Sequence, residues 1–170
     1  GKGKTAYQSI KERLDYIMNP EKTDGGLLIS SHACFPETAA DEFMLYRQEY
    51  LNTTGRKRGD EVLAYHVRQA FKPGEITAEK ANEIGKALAE RLTDKQHAFV
   101  VATHIDKQHI HNHIIFCATS LDGRQKYRDV KSSAKELVQI SDALCEENGL
   151  SVICNPQDKA VPYLSLIHIS

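Results

Sequence analysis

Apolar residues recur at the three- and four-residue spacing of a helix in four segments of the chain. In the first segment, Ile10, Leu14 and Ile17 would share one helical face. Pro20 ends that pattern. In the third segment, Thr77 is suited to the N-cap position. The spacing predicts helices at residues 7–20, 36–55, 78–92 and 133–149.

Shorter segments rich in β-branched and aromatic residues alternate with these helices and predict strands. Two of them, at 97–105 and 110–120, flank a short polar stretch that includes Asp106 and Lys107, which predicts a hairpin. The remaining strands are predicted at 27–31, 62–71 and 150–154. The order αβαβαββαβ favours an α+β domain, in which helices pack on an antiparallel β-sheet with the hairpin at its centre.

The composition, with 41% hydrophobic and 26% charged residues among 170, is that of an ordinary globular protein. No apolar run approaches the ~20 residues of a membrane span. The four cysteines form no CxxC pair, which favours reduced thiols. We therefore expect a cytoplasmic, monomeric protein without membrane insertion. Residues 1–155 are predicted to form one domain. Residues 156–170 fit no preceding pattern, and we interpret them as a non-native tail.

The formal net charge of −1 means that any surface for nucleic acid must be local. One of the basic clusters contains Arg124 and Lys126, which makes both residues candidate DNA contacts. The alternative for each such cluster is an ordinary solvated face.

Four of the eight histidines fall within residues 104–113, at the predicted hairpin. Alternation along a strand would point His109, His111 and His113 to one side, and His104 on the partner strand could approach them. Neutral imidazoles that converge in this way suit a divalent metal ion, and the absence of a nearby cysteine disfavours a closed structural zinc site. Asp106 could accept the second ring N–H of a ligand histidine.

The pattern H-x-D-x-x-H-x-H-x-H-I-I resembles the metal motif of MobA/VirD-type relaxases, mobilisation endonucleases of the HUH (His-hydrophobic-His) class found on conjugative and integrative elements. The resemblance covers roughly residues 5–155. "LDYIMNPEKT" (14–23) is similar to the family's tyrosine motif, "AYHVRQAFKPGEIT" (64–77) to its middle motif, and "LDGRQKYRD" (121–129) to the segment after the metal strand.

This resemblance implies a three-histidine site formed by His104, His111 and His113, with Mg²⁺ or Mn²⁺ as the expected ion and Zn²⁺, Ni²⁺ or Co²⁺ as alternatives. His109 would occupy a variable position. The literal His-hydrophobic-His triplet of this chain is nevertheless His109-Ile110-His111, whereas His111-Asn112-His113 has a polar centre. The choice between the two pairs therefore remains open at the level of sequence.

The resemblance also implies that Tyr16 cleaves one DNA strand at an origin of transfer, leaving a 5′-phosphotyrosine and a free 3′-OH that can be rejoined. A tyrosine hydroxyl is a weak nucleophile until it is deprotonated or polarised. Tyr7 is the second candidate for this role. The expected partners are single-stranded origin DNA, accessory relaxosome proteins and a coupling protein.

Three further residues are candidates on chemical grounds. His66 could contact the scissile DNA, transfer a proton, or be an ordinary buried histidine with its hydrogen bonds satisfied. Lys22 and Arg68 could contact phosphates. Two other functions are compatible with the histidine pattern. A metal-stabilised DNA-binding module would fold around the ion without cleaving DNA. An Fe(II) oxygenase would use His104 and Asp106 as ligands, but its distant second histidine would have to be His168.

Overall fold

The computed structural model describes residues 3–57, 61–127, 130–151 and 163–168. The described helices are α1 (Ala6–Ile17), α2 (Ala39–Thr54), α3 (Ala78–Thr93) and α4 (Val130–Glu147). The described strands are β1 (Ile29–His32), β2 (Val62–Ala70), β3 (Phe99–His104), β4 (His111–Cys117) and β5 (Tyr163–His168). A short 3-10 turn at Pro36–Thr38 leads into α2.

The five strands form one sheet in the order β1-β3-β4-β2-β5, and every neighbouring pair is antiparallel. The predicted α+β class with a central hairpin is confirmed, since β3 and β4 lie in the middle of the sheet. The final strand differs from the prediction. Residues 150–151 are irregular and the rest of the predicted strand at 150–154 lies outside the described residues, whereas β5 falls within the predicted tail and pairs with β2.

Helices cover both faces of this sheet. Alternate strand residues on one face, including Val100, Ala102 and Ile115, pack against apolar residues of α1 and α2. The opposite face, which includes Val101 and Ile114, packs against α3 and α4. We call these the α1/α2 face and the α3/α4 face.

The sequence of α1 explains which of its residues reach the solvent. Thr5 and Gln8 form a capping box that fixes its start. Ile10, Leu14 and Ile17 are buried against the sheet, as their spacing predicts. Residues between these apolar positions face away from the core, and Tyr16 is accordingly 54% exposed.

A mostly buried cluster of charged side chains links α2 to the start of β2. Glu61 receives hydrogen bonds from Arg47 at 2.9–3.1 Å and from Lys126 at 2.9 Å. Burial on its own would raise the pKa of the Glu61 carboxyl, but the hydrogen bonds from Arg47 and Lys126 outweigh it and the pKa is lowered. The charged form of Glu61 is therefore the one that stabilises the fold.

Replacing Glu61 by glutamine should lower the free energy of unfolding by about 2 kcal/mol at pH 7, because Arg47 and Lys126 would lose their shared anion. Since the folded-state pKa is depressed, this contribution is complete above the unfolded-state pKa near ~4.3 and is lost as the pH falls through the folded-state pKa. Urea unfolding at pH 7 and at pH 3 should show a difference between Glu61→Gln and wild type that shrinks in acid. Glu12→Gln, at an exposed ion pair with Lys4, is the control and should change little. A pH-independent difference would contradict the assignment.

Within the part of the chain that the structure describes, no helix combines the length and the apolar character required to cross a membrane.

Candidate active site

The histidine hairpin places three imidazoles on the α1/α2 face. His104 and His111 are directly opposite each other in the register of β3 and β4, and His113 lies opposite Ala102. Residues that are directly opposite each other on neighbouring strands point to the same face, and so do residues two apart on one strand. All three side chains therefore project to the same side. The predicted hairpin is confirmed, but the loop between its strands is longer than predicted and spans residues 105–110. His109 precedes β4 in this loop and is exposed, so strand alternation does not orient it.

A pocket of about 240 Å³ opens between this hairpin and the C-terminal turn of α1. Its lining combines imidazoles, cations and a single carboxylate: Arg13, Tyr16, Lys22, His66, Arg68, His104, Asp106, Lys107, His111, His113 and Ser165. Four arginines and lysines face one aspartate, so the pocket is positively charged and favours an anion.

His66 joins this cluster from β2. Its Nε2 lies 2.9 Å from His113 Nδ1, and its Nδ1 lies 3.1 Å from the Arg13 guanidinium. Tyr65 and Val67 point to the opposite face, as alternation predicts. Because a guanidinium can only donate, His66 Nδ1 accepts from Arg13, and His66 Nε2 then donates to His113.

The imidazoles of the pocket are held neutral at physiological pH. Burial lowers the pKa of His66 to about 4, with smaller contributions from Arg13 and Arg68. Burial also lowers the pKa of His113 to about 2, assisted by His104 and His66. The pKa values of His104 and His111 are lowered as well, again mainly by burial. Neutral imidazole is the protonation state that a metal ion requires.

Each predicted ligand uses one ring nitrogen in a hydrogen bond within the protein. His104 Nε2 lies 2.7 Å from the carbonyl oxygen of Ile17, the last residue of α1. His111 bonds to the backbone of His109, and His113 to His66. The second nitrogen of each ring remains for an ion, which is the usual arrangement of ligand histidines.

The rings of His104 and His113 lie 4.2 Å apart, centroid to centroid. As the side chains stand, however, no group of three or more His, Cys, Asp or Glu residues in the described ranges is arranged to hold an ion. The donor set fits a divalent metal by its chemistry. Coordination by His113 Nε2 would place the ring hydrogen on Nδ1, so His113 would become the donor to His66 and Arg13 could no longer donate to the other side of His66.

Tyr16 lies directly over the histidines. Its ring centroid is 6.5 Å from that of His104 and 6.4 Å from that of His113, and Lys22 Nζ lies 4.8 Å from its centroid. The hydrogen bond from His104 to the neighbouring Ile17 carbonyl fixes this end of α1 to the hairpin. Tyr7 is 38% exposed on the same helix and does not line the pocket.

The structure brings most of the predicted site residues together. Lys22 and Arg68 line the pocket with the histidines, but Arg124 and Lys126 do not. Lys126 instead bonds to Glu61 and to the carbonyl of Val62, and its role as a DNA contact stays a prediction.

Asp106 lies in the exposed loop at the pocket. Burial lowers the pKa of His104, and the charge of Asp106 opposes this shift only in part. A ligand imidazole was predicted to form a hydrogen bond with this carboxylate. The Nε2 of His104 instead forms its hydrogen bond with the Ile17 carbonyl.

Sequence reasoning missed two cations of the pocket, Arg13 and Lys107. The spacing of α1 contained a signal for Arg13, because it precedes Tyr16 by three residues and therefore lies one turn away on the same side of the helix. Its contact with His66 joins residues 53 positions apart, and no local pattern specifies such a pair.

The fold and the pocket define a class of protein: an α+β domain whose central antiparallel hairpin presents histidines beneath a helical tyrosine. The family model "Relaxase: MobA/VirD2-like, nuclease domain" matches residues 16–150, and the chain belongs to this family.

Relatives with curated names agree with this assignment. A protein named rlx from Staphylococcus aureus is 42% identical over 109 residues, which cover 63% of this chain and 34% of the relative. A second rlx protein from the same species is 32% identical over 127 residues, which cover 75% of this chain and 36% of the relative. The group II intron-interrupted relaxase LtrB of Lactococcus lactis subsp. cremoris is 33% identical, covering 62% of this chain and 22% of LtrB. The chain thus matches about a third or less of the length of these relatives.

Proposed function

We propose that this domain nicks one strand of origin-of-transfer DNA, with the Tyr16 hydroxyl as the nucleophile. The observation that carries the proposal is the position of the Tyr16 ring, 6.4–6.5 Å from the His104 and His113 rings at the mouth of a cationic pocket. An exposed tyrosine beside neutral imidazoles and several cations is suited to attack on a phosphodiester, whose transition state accumulates negative charge.

In the proposed reaction the Tyr16 oxygen forms a bond to phosphorus, and the bond from phosphorus to the 3′ oxygen breaks. The products are a 5′-phosphotyrosine and a free 3′-OH. The phenol loses one proton and the 3′ oxygen gains one, so protons balance. The phosphate ester bond is retained in the adduct, and the reverse attack by the 3′-OH rejoins the strand without another energy source.

His104, His111 and His113 would hold a divalent ion, Mg²⁺ or Mn²⁺ in the first instance, which would supply Lewis-acid stabilisation of the phosphate charge. His66, which is neutral at physiological pH because its pKa is about 4, acts as a hydrogen-bond partner that orients His113. Asp106 contributes the one carboxylate of the pocket.

The cations at the pocket would hold the DNA backbone. Lys22 lies against the Tyr16 ring, where its charge can contact the phosphate under attack. Arg13, which contacts His66 Nδ1, and Arg68 also line the pocket, and their guanidinium groups can form bidentate contacts to phosphate oxygens. Origin DNA as the substrate, and accessory and coupling proteins as partners, follow from the family and are part of this proposal.

The decisive experiment incubates the protein with a pool of single-stranded oligonucleotides of varied sequence in the presence of Mn²⁺ or Mg²⁺, followed by denaturing gels. A label at the 3′ end of the oligonucleotide should migrate with the protein, because the fragment that carries this label is joined to Tyr16 through its new 5′ phosphate. A 5′ label should appear in a shortened free strand. EDTA should abolish both signals. Binding without cleavage would support the metal-stabilised DNA-binding module instead.

Replacing Arg13 by methionine should separate cleavage from metal binding. Nicking should fall by ~10–100-fold, because a charge-assisted contact to the phosphate is lost. Metal affinity should be kept or increased, because His66 no longer receives a hydrogen bond from Arg13 and His113 can donate to it. Nicking gels and titration calorimetry measure the two effects.

Lys11→Met is the matched control for this variant. Lys11 lies on the same helix and pairs with Asp15 outside the pocket, so its loss should affect neither measurement. Loss of metal binding in Arg13→Met would show that the guanidinium supports the histidine cluster and does not serve the DNA.

A further inference from the structure

Asn112 is the polar residue between His111 and His113, and its side chain points to the α3/α4 face, away from the pocket. It is completely buried there. Its Nδ2 donates to Gln69 Oε1 at 3.0 Å and to the Ala81 carbonyl at 2.7 Å. Its Oδ1 accepts from the Thr103 hydroxyl at 2.6 Å. Both amide hydrogens and the amide oxygen are therefore used.

These partners form a polar row that crosses three strands. Thr103 on β3 and Gln69 on β2 are the register partners of Asn112. The row continues outward, since Asn82 Nδ2 donates to the Thr103 hydroxyl at 3.1 Å and Gln69 Nε2 donates to Ser141 at 3.1 Å. The positions that flank Asn112 on the same face are apolar and fully buried, namely Val67, Val101 and Ile114. The row is thus a single polar line in an apolar layer.

Helix α3 packs closely against this row at Gly85. A Cβ atom at Gly85 would lie 2.6 Å from Asn112 Nδ2 and 2.9 Å from Val101 Cγ1. Glycine inside a helix costs about 1 kcal/mol relative to alanine. Gly85 therefore weakens α3 slightly, but its lack of a side chain allows α3 to pack directly against the Asn112 amide.

The chain contains two overlapping His-x-His pairs, His109-Ile110-His111 and His111-Asn112-His113. A slip of β4 by two residues would exchange one pair for the other and keep every side chain on its own face. The hairpin loop would shorten from residues 105–110 to 105–108, and four-residue loops are common in hairpins. Loop length alone therefore does not determine which pair faces the pocket.

The slipped register would remove Asn112 from its partners. Asn112 would occupy the place of Ile114, between Val101 and Val67, and Ile110 would stand between Thr103 and Gln69. An unsatisfied amide in an apolar layer is costly, as are the unpartnered groups left in the row. His113 would also move into the apolar position of Ile115, and this penalty acts in the same direction.

We propose that Asn112 is a positioning residue that fixes the register of β4 and so selects His111 and His113, in place of His109 and His111, as the pair presented to the pocket. This proposal rests on the proposed function only in taking His111 and His113 as the pair that the active site uses. Asn112 touches neither substrate nor ion and acts through the two histidines beside it. A buried asparagine in a coiled coil specifies one register by the same physics.

The test replaces the whole row by apolar residues of similar size, Thr103→Val, Asn112→Leu and Gln69→Leu. Removing all partners together leaves few buried groups unsatisfied, so the thermal midpoint should stay within ~5 °C of wild type. NOEs that join the backbones of Ala102 and His113 report the native register, and NOEs that join Ala102 and His111 report the slipped one. We expect the triple variant to show the slipped NOEs beside the native ones, because the penalty on His113 remains, whereas wild type shows the native ones alone. Its apparent affinity for Zn²⁺ or Mn²⁺ should fall in proportion to the population that leaves the native register.

A second variant, Ile110→Asn with Asn112→Ile, keeps the composition and moves the amide to the position that the slipped register places in the row. It should show the Ala102–His111 NOEs most strongly. Thr93→Val removes one buried hydrogen bond on α3 outside the row and should keep the native NOEs. If both row variants keep the Ala102–His113 pairing alone, Asn112 serves packing only and the proposal is overturned.

These NOEs require neither DNA nor metal. A wild-type protein that cuts no oligonucleotide would overturn the proposed function and leave the assignment of Asn112 to be judged by the register.

Discussion

Replacing Tyr16 by phenylalanine should eliminate the covalent protein–DNA adduct while leaving the fold and oligonucleotide binding unchanged. Phenylalanine keeps the ring beside His104, His113 and Lys22 and removes only the attacking oxygen. Because the side chain is 54% exposed, the change in the free energy of unfolding should stay within ~0.5 kcal/mol. The 3′-labelled band at the position of the protein should disappear from denaturing gels, with a loss of at least ~1000-fold.

Tyr7→Phe provides the matched control, because Tyr7 lies on the same helix outside the pocket. It should form adduct at the wild-type rate. Peptide mapping of the wild-type adduct should place the nucleotide on the fragment that contains Tyr16. An adduct on Tyr7, or persistence of the band in Tyr16→Phe, would refute the assignment of the nucleophile.

Replacing His111 by alanine should weaken divalent-metal binding by at least ~100-fold and abolish nicking. His111 is directly opposite His104 in the hairpin, so its loss would remove one of the three proposed ligands. The side chain is only partly buried, and the fold should survive the truncation. Titration calorimetry with Mn²⁺ and Zn²⁺ measures the affinity, and circular dichroism verifies the fold.

His109→Ala tests the competing choice of ligands. His109 lies in the exposed loop, so its removal should change metal affinity by no more than ~3-fold, consistent with a histidine outside the coordination shell. Equal losses in the two variants would mean that the loop brings His109 onto the ion. Unchanged affinity in His111→Ala would exclude His111 as a ligand.

The parts of the site that sequence predicts best are those that depend on local periodicity. Strand alternation correctly predicted that His111 and His113 lie on one side of the sheet, and helical spacing correctly predicted the buried face formed by Ile10, Leu14 and Ile17. The same rule failed for His109, since alternation holds only inside a strand and β4 begins at His111.

Contacts between distant segments were beyond such rules. Lys126 belongs to a basic cluster in the sequence, yet its charge is matched by Glu61, 65 positions away. Asp106 was predicted to accept the second ring N–H of a ligand histidine, but the acceptor for His104 is the carbonyl of Ile17 at the end of α1. Each outcome depends on which elements the fold brings together. The pattern of each element alone does not contain that information.

The hydrogen bond between His104 and the Ile17 carbonyl has a consequence for the rejoining step of the proposed reaction. It joins the residue next to Tyr16 to the floor of the pocket, so a 5′ end carried by Tyr16 would stay above the histidines after cleavage. Two reacting groups held in the same site have a high effective concentration, on the order of 10⁵ M when their geometry is well aligned. A strand end that diffuses freely does not reach such a concentration. Rejoining would then depend on how long the pocket retains the 3′-OH end, and exchange of that end for another strand would be governed by its rate of dissociation.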